Sequence, residues 1–246
     1  MAQVVPSTNN NPDWMQRPPA IPGCPPGLEY LSQLDCLILN QNVSLVEAFT
    51  GWEKNNKYSI KNTQGNQIYF AAEESSGCMR GCCGSQRGFE IFIMDSSNQK
   101  VIKISRELKV CAGSSWCAGC CDCCAHEVII EAPVGTVVGY VKQKGAFGKS
   151  PYDILDENQE PVLRIKCPRC IFNGPVFSCD NDFKILTMDG ETQVGKLSKV
   201  YAGFAKEMFT QADNFSINFP TDLSVKTKAA LIGALFLIDF TYFEGE

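Results

Sequence analysis

The most constraining feature of this chain is a recurring pattern: a β-rich run, an Asn/Asp/Gly turn and a second β-rich run. The six copies are LDCLILNQNVSLVEAF, YSIKNTQGNQIYFAAEE, FEIFIMDSSNQKVIKISRE, EVIIEAPVGTVVGYVKQ, YDILDENQEPVLRIKC and FKILTMDGETQVGKLSK. The Asp189-Gly190 turn between alternating apolar runs is a strong hairpin signal. About a dozen antiparallel strands must close into a barrel or pack as two sheets, because open sheet edges promote aggregation.

The segment from Ala229 to Phe243 is almost entirely apolar and is the most hydrophobic part of the chain. It falls short of the roughly 17 residues that a membrane-spanning helix needs, and Asp239 interrupts it. Two interpretations remain. A helix over 227–243 fills a closed barrel, or it spans a bilayer once with Lys226 and Lys228 on the cytoplasmic side and the C-terminus outside.

The physics favours the buried helix, so we predict a mainly β fold, a closed antiparallel barrel of about twelve strands around a hydrophobic C-terminal helix. The residues predicted to be buried, or to face lipid, are Ala229, Leu231, Ile232, Leu235, Phe236, Leu237, Ile238 and Phe240. Residues 1–27 are rich in Pro, Asn and Gly and predict a disordered leader, with proline-reading domains as candidate partners. Residues 28–246 then form a single domain.

The charge and the histidine content exclude several classes of function. A net charge of -5 and a pI near 5.1 argue against general nucleic-acid binding, which needs a basic surface. His126 is the only histidine, which excludes zinc catalysis with two or three histidine ligands and argues against histidine-dependent nucleophiles. We therefore expect a protein that is not an enzyme, with His126 at the start of a strand.

The stretch WCAGCCDCCAHE contains five of the fourteen cysteines between Cys117 and Cys124. The N-terminus shows no basic and apolar secretory signal, so we expect a protein that is not secreted and whose thiols stay reduced. That leaves a lipid-attachment platform or a metal site. The zinc alternative uses two CxxC pairs, with ligands Cys117, Cys120, Cys167 and Cys170. Crowded neighbouring thiols splay apart, which favours acylation over a single metal site.

Several segments together resemble the phospholipid scramblase family. They are QADNFSINFPTDLSVKTKAALIGALFLIDFTYFE, the cysteine cluster before HEVIIEAPVGTVVGYV, and the GKLSK run. The resemblance extends from about Pro22 to Glu244. It implies a calcium-dependent, ATP-independent carrier that moves phospholipid in both directions between bilayer leaflets. It also implies the tubby-like architecture, in which a twelve-stranded barrel surrounds a central C-terminal helix.

The resemblance assigns roles to three segments. The cysteine cluster matches the family's palmitoylation site, which makes Cys120, Cys121, Cys123 and Cys124 candidates for palmitate. The run from Gly195 to Lys199 matches a region described as a nuclear-import signal, but here it keeps only two lysines, and a solvated turn or strand edge is the favoured alternative. The segment after Thr210 matches the proposed calcium loop.

The calcium loop departs from an EF-hand at its main positions, because Gln211 stands first and Ser216 replaces the glycine at position six. The ligands implied by the resemblance are Asp213, Phe215, Ile217, Phe219 and Asp222. With only two carboxylates, such a site would have a dissociation constant on the order of 10⁻⁴–10⁻³ M. The alternation of Phe215, Ile217 and Phe219 favours a β-strand instead.

The expected function is therefore phospholipid scrambling at the cytoplasmic face of the plasma membrane, with membrane phospholipids as partners and low-affinity calcium and palmitate as cofactors. Two alternatives stay open. One is a membrane-anchored lipid-binding adaptor without intrinsic scrambling, and the other is a zinc-stabilised structural protein.

Overall fold

The computed structural model describes residues 14–41, 56–74, 87–109, 124–145, 150–168, 181–200 and 214–243. Twelve strands form one closed barrel in which every neighbouring pair is antiparallel, with one helix against its interior face. The strands are β1 Cys36–Gln41, β2 Lys57–Lys61, β3 Gln67–Glu74, β4 Phe89–Met94, β5 Lys100–Arg106, β6 Glu127–Glu131, β7 Val137–Gln143, β8 Tyr152–Leu155, β9 Pro161–Lys166, β10 Asp182–Leu186, β11 Gln193–Val200 and β12 Asn214–Asn218. A 3₁₀-helix, Glu29–Gln33, precedes β1, and α1, Val225–Tyr242, ends the described chain.

The predicted fold class is confirmed, and five of the six predicted hairpins are the pairs β2–β3, β4–β5, β6–β7, β8–β9 and β10–β11. The first predicted hairpin is different. Its leading run is β1, but its second run lies outside the described residues. β1 instead pairs with β2 on one side and with β12 on the other, which closes the barrel.

The helix α1 is apolar on every side because the barrel wall surrounds it. All eight residues predicted to be buried or to face lipid are buried in the same core as the inward side chains of the strands. The closest approach is at Gly233, where an added Cβ would lie 2.8 Å from Cγ1 of Ile130. Within the described residues, none of the helices is long and apolar enough to cross a membrane.

Aromatic side chains connect the helix to the wall along its second half. Phe236 meets Tyr58 edge to face with ring centroids 5.0 Å apart, and Phe240 lies 4.5 Å from the Phe89 ring. Phe243, just after the helix, packs on Phe215 at 5.4 Å. Each contact adds geometric specificity to the apolar burial, so the helix is fixed in one rotational position.

Lys228 in the first turn of α1 is completely buried, and its Nζ donates to three carbonyl oxygens, those of Leu31, Leu34 and Thr221, at 2.7–2.9 Å. Leu31 lies within the 3₁₀-helix and Leu34 is its C-terminal cap, where the last carbonyls of a helix need partners. Burial lowers the pKa of Lys228 from its usual value. The lysine therefore ties the start of α1 to the segment before β1.

Residues 14–27 differ from the expectation of a disordered leader, because this described part of the segment packs on the barrel. Trp14 meets Phe70 edge to face at 5.1 Å, and the amide of Met15 donates to the carbonyl of Gln67 at 2.8 Å. Phe70 points outward, opposite to the core residue Tyr69. An outward aromatic ring gives the tryptophan an apolar surface to cover, which composition alone did not show.

Substituting Lys228 tests whether the buried lysine holds the helix. We expect Lys228→Met to lower the free energy of unfolding by about 2–3 kcal/mol, because three buried carbonyls lose their donor. Lys226→Met is the matched control, since this exposed lysine makes only a surface ion pair with Glu157 and should cost less than about 1 kcal/mol. Urea unfolding of both variants measures the difference, and equal losses would contradict the anchoring role.

Candidate functional site

The two ends of the barrel differ in the connections that they carry. At one end the connections between consecutive strands are short turns, such as Asp95–Gln99 and 156–160. At the other end lie the connections that follow β1, β3, β5, β7, β9 and β11. We call these the short-turn end and the long-connection end. Ten of the fourteen cysteines lie on the β3–β4, β5–β6 and β9–β10 connections outside the described residues, while Cys124 and Cys167 border them at the same end.

A buried ion pair lies where β3 and β4 reach the long-connection end. Glu73 is fully buried and accepts from Arg87 Nη2 at 3.0 Å and from Asn56 Nδ2 at 2.8 Å. The Arg87 guanidinium also lies 4.8 Å from the centre of the Phe240 ring of α1. Arg106 donates to the carbonyl of Arg87 at 2.6 Å. At β3 and β4, bonded polar groups therefore contact the end of the helix.

His126 immediately precedes β6, as the sequence predicts, and only 3% of it is exposed. Its amide donates to Oε1 of Gln143 at 3.1 Å, and the amide of Gln143 donates back to its carbonyl. Burial lowers the pKa of the imidazole to about 4, and the nearby charges of Arg106 and Lys109 contribute. The ring is therefore uncharged at neutral pH and is part of the wall.

Among the four cysteines predicted to carry palmitate, only Cys124 is described, and 7% of it is exposed. Lys109 Nζ donates to the carbonyl of the next residue, Ala125, at 2.9 Å and ties this position to the end of β5. Cys120, Cys121 and Cys123 lie outside the described residues. Because an acylated thiol must be reachable, the buried Cys124 is poorly suited to acylation in this conformation.

The zinc alternative is represented in the described structure by Cys167 alone, since Cys117, Cys120 and Cys170 lie outside it. The Cys167 thiol donates to the carbonyl of Ser150 at 3.1 Å and lies 3.9 Å from the Tyr242 hydroxyl. Burial, followed by the proximity of Cys167, raises the pKa of that tyrosine. Nowhere in the described ranges do three His, Cys, Asp or Glu side chains form a group that could hold a metal ion.

The segment matched to the calcium loop is a strand at its centre, and the β-strand interpretation is confirmed. Phe215 and Ile217 point into the core, and β12 pairs with β1 and with β11 along its length. A strand from Asn214 to Asn218 is about 16 Å long. Asp222 follows it at the short-turn end, and Asp213 lies outside the described residues. Phe215, Ile217 and Phe219 therefore do not form an ion-binding loop here, because backbone pairing keeps the segment extended.

The run matched to the import signal also differs from the predicted turn or strand edge. It lies within β11, which pairs with β10 and with β12, and a closed barrel has no edge. Lys196 Nζ donates to Asp182 at 2.9 Å, and Lys199 Nζ lies 4.4 Å from the centre of the Phe243 ring. Both lysines are thus engaged in contacts of the barrel.

The chain is similar to proteins of one family over nearly its whole length. A family model described as Scramblase matches residues 15–245. Phospholipid scramblase 1 of Rattus norvegicus is 45% identical over 94% of this chain and 66% of its own length. Phospholipid scramblase 1 of Homo sapiens is 47% identical over 94% of this chain and 70% of its own length. Phospholipid scramblase 4 of Homo sapiens is 34% identical over 98% of this chain and 70% of its own length.

The alignment with one solved structure, of an Arabidopsis thaliana protein, covers 86% of this chain and 96% of the Arabidopsis chain. Its TM-score is 0.46 and the sequence identity is 12%. At that level of similarity it carries no argument about function. The chain spans about two thirds of the length of the curated relatives it matches.

The lowered pKa of His126 predicts a pH-dependent loss of stability. The unfolded chain takes up a proton near pH 6.5, whereas the folded chain does so only near pH 4, so stability falls as the pH drops through that window. We expect wild-type protein to lose up to about 3 kcal/mol more than His126→Gln over this range. Urea unfolding at a series of pH values measures both. Parallel profiles for the two proteins would contradict the assignment.

Proposed function

This chain belongs to the scramblase family, and we propose that it moves phospholipids between the two leaflets of a membrane. The observation that carries the proposal is the similarity to proteins named phospholipid scramblase over 94% of the chain. Transfer of this kind moves a lipid without making or breaking a bond in it, which fits a chain whose one histidine is buried and uncharged.

We further propose that the movement is bidirectional, independent of ATP and stimulated by calcium, as the family resemblance implies. Both sides of the strand at Asn214–Asn218 are already paired, so we assign the calcium role to residues outside it. Asp213 and Asp222 are the two carboxylates of the matched segment. Calcium affinity should therefore be low, in the range expected for sites with few charged ligands, about 10⁻⁴–10⁻³ M.

Membrane attachment is proposed to come from palmitate on Cys120, Cys121 and Cys123, with the barrel at the cytoplasmic face of the plasma membrane. Stable anchoring needs two acyl chains, or one chain and a second signal, and three neighbouring thiols meet that requirement. The burial of Cys124 leaves it a minor site. The packing of α1 in the barrel, with Lys228 and Asp239 both buried, supports attachment through these thiols rather than a single-pass span.

A second candidate function is a membrane-bound lipid-binding adaptor that does not move lipid. It is favoured by the helix itself, whose side chains occupy the barrel core along its length. A lipid headgroup that passed along the barrel axis would have to displace Phe236 and Phe240 from their ring contacts. Scrambling by this fold must therefore use the outside of the barrel or a rearranged helix.

Reconstitution in liposomes separates the two functions. We expect purified full chain, with fluorescent phospholipid in both leaflets, to make the inner-leaflet dye accessible to a membrane-impermeant quencher. The rate should rise with calcium at submillimolar to millimolar concentration, in keeping with a weak site, and should not depend on ATP. There are two controls: liposomes without protein, and liposomes with protein in which magnesium replaces calcium. A rate equal to that of empty liposomes would reject intrinsic scrambling and leave the adaptor.

Acylation is tested separately in cells. We expect hydroxylamine-sensitive palmitate on the wild-type chain, and loss of most label and of membrane association when Cys120, Cys121 and Cys123 become alanine together. The matched control replaces Cys24 and Cys36, which lie away from the long-connection end, and should keep its label. Full labelling of the triple variant would place the lipid elsewhere.

A further inference from the structure

The outer wall of β9, β10 and β11 carries a row of lysines at one level of the barrel. Lys184 on β10 is the direct cross-strand partner of Lys166 on β9 and of Lys196 on β11. Like charges directly opposite each other destabilise a sheet. Lys166 and Lys184 are exposed, and neither forms an ion pair with a carboxylate of the described residues. Asp182 is bonded to Lys196 and lies near enough to Lys184 for their opposite charges to interact. No ion pair of the described residues offsets the direct Lys166–Lys184 pairing.

The basic surface extends to the neighbouring strands. Arg164, next to Lys166 on the outward side of β9, holds Asp153 through two hydrogen bonds of 2.7 and 3.1 Å. Lys144, after β7, approaches the same carboxylate at 3.9 Å. We call the outward side chains of Lys144, Arg164, Lys166, Lys184 and Lys196 the basic face. When the negative charges of Asp153 and Asp182 are subtracted from the five positive charges, the net charge of this face is +3, although the whole chain is acidic.

The charge along these strands is polarised. The basic face occupies the half of the wall toward the long-connection end, where Lys144 and Lys166 lie at the ends of β7 and β9. The turns at the short-turn end between β8 and β9 and between β10 and β11 are acidic. They contain Asp156, Glu157, Glu160, Asp189 and Glu191. A negatively charged surface would thus attract one half of the wall and repel the other, which defines an orientation.

We infer that the basic face is a docking surface for a membrane rich in anionic phospholipid. An extended plane of negative headgroups matches a row of lysines on a convex wall. The cysteines proposed to carry palmitate belong to the end of the barrel that this face adjoins. An acyl chain and a basic patch together give the two signals that stable anchoring needs.

The inference rests on the proposed function only for the choice of a membrane as the partner. Beyond the proposed function, the inference identifies the wall of the barrel that contacts the lipid and the charge of the lipid that this wall prefers. The acidic short turns then point away from the bilayer, and the half of the wall with Lys166 and Lys184 faces it.

Sedimentation of unacylated full chain with vesicles tests the docking surface without any lipid movement. We expect binding to vesicles that contain phosphatidylserine, little binding to pure phosphatidylcholine, and weakening by salt because exposed charges are screened. Lys166→Gln combined with Lys184→Gln should weaken binding by roughly twentyfold, since each lysine near an anionic surface contributes about fivefold. Both side chains are exposed, so the fold should be kept, which unfolding by urea verifies.

The matched control is Lys100→Gln with Lys226→Gln, which removes the same charge from exposed positions outside the basic face. It should bind within about twofold of wild type. Equal losses in both double variants, or no loss in the first, would overturn the inference. Binding to single-stranded RNA in preference to phosphatidylserine vesicles would also overturn it and assign the face to nucleic acid. Scrambling that fails while lysine-dependent binding persists would reject the proposed function and leave this docking surface intact.

Discussion

The structure depends on removing one helix, apolar on all sides, from water. From Ala229 to Phe240 every side chain of α1 is buried, and the surface that buries them is the inner face of twelve strands. The dependence is mutual, because a barrel of that many strands needs something to fill its interior. The contacts are also distant in sequence, as in the hydrogen bond from the Tyr58 hydroxyl to Asp239, 181 residues apart. The wall can be fully packed only when the last segment of the chain is in place.

The polar groups on this helix are accommodated by partners rather than by solvent. Lys228 reaches three carbonyls near the short-turn end, and Asp239 accepts from Tyr58 toward the other end. A buried charge without such partners is strongly destabilising. In a bilayer Asp239 would lie within the span without its tyrosine partner, and Lys228 would lie at the cytoplasmic end of the span without the three carbonyls. In the barrel both residues have partners, which makes the helix a specific filling for its interior.

The arrangement separates the parts of the molecule to which we assign function from the part that carries stability. The core is shared by the helix and the inward side chains of the strands, while most of the cysteines belong to connections at one end and the basic face covers one side of the wall. Loops on a rigid scaffold are the usual location of binding residues. A family member built in this way would act on lipid from its end and outer surface, since its interior is occupied by side chains.

The sequence by itself determined most of the strands, five of the six predicted hairpins and the identity of the helix, because alternation, turn residues and length are local signals. It also predicted the alternation of Phe215, Ile217 and Phe219 that places them in a strand. It did not show that Trp14 packs on the wall, that Lys228 binds carbonyls near the 3₁₀-helix, or that Lys166, Lys184 and Lys196 form one row. These depend on which strands are neighbours and in which register. Pairing between distant segments is decided by closure of the barrel around its helix, and only the tertiary structure contains that information.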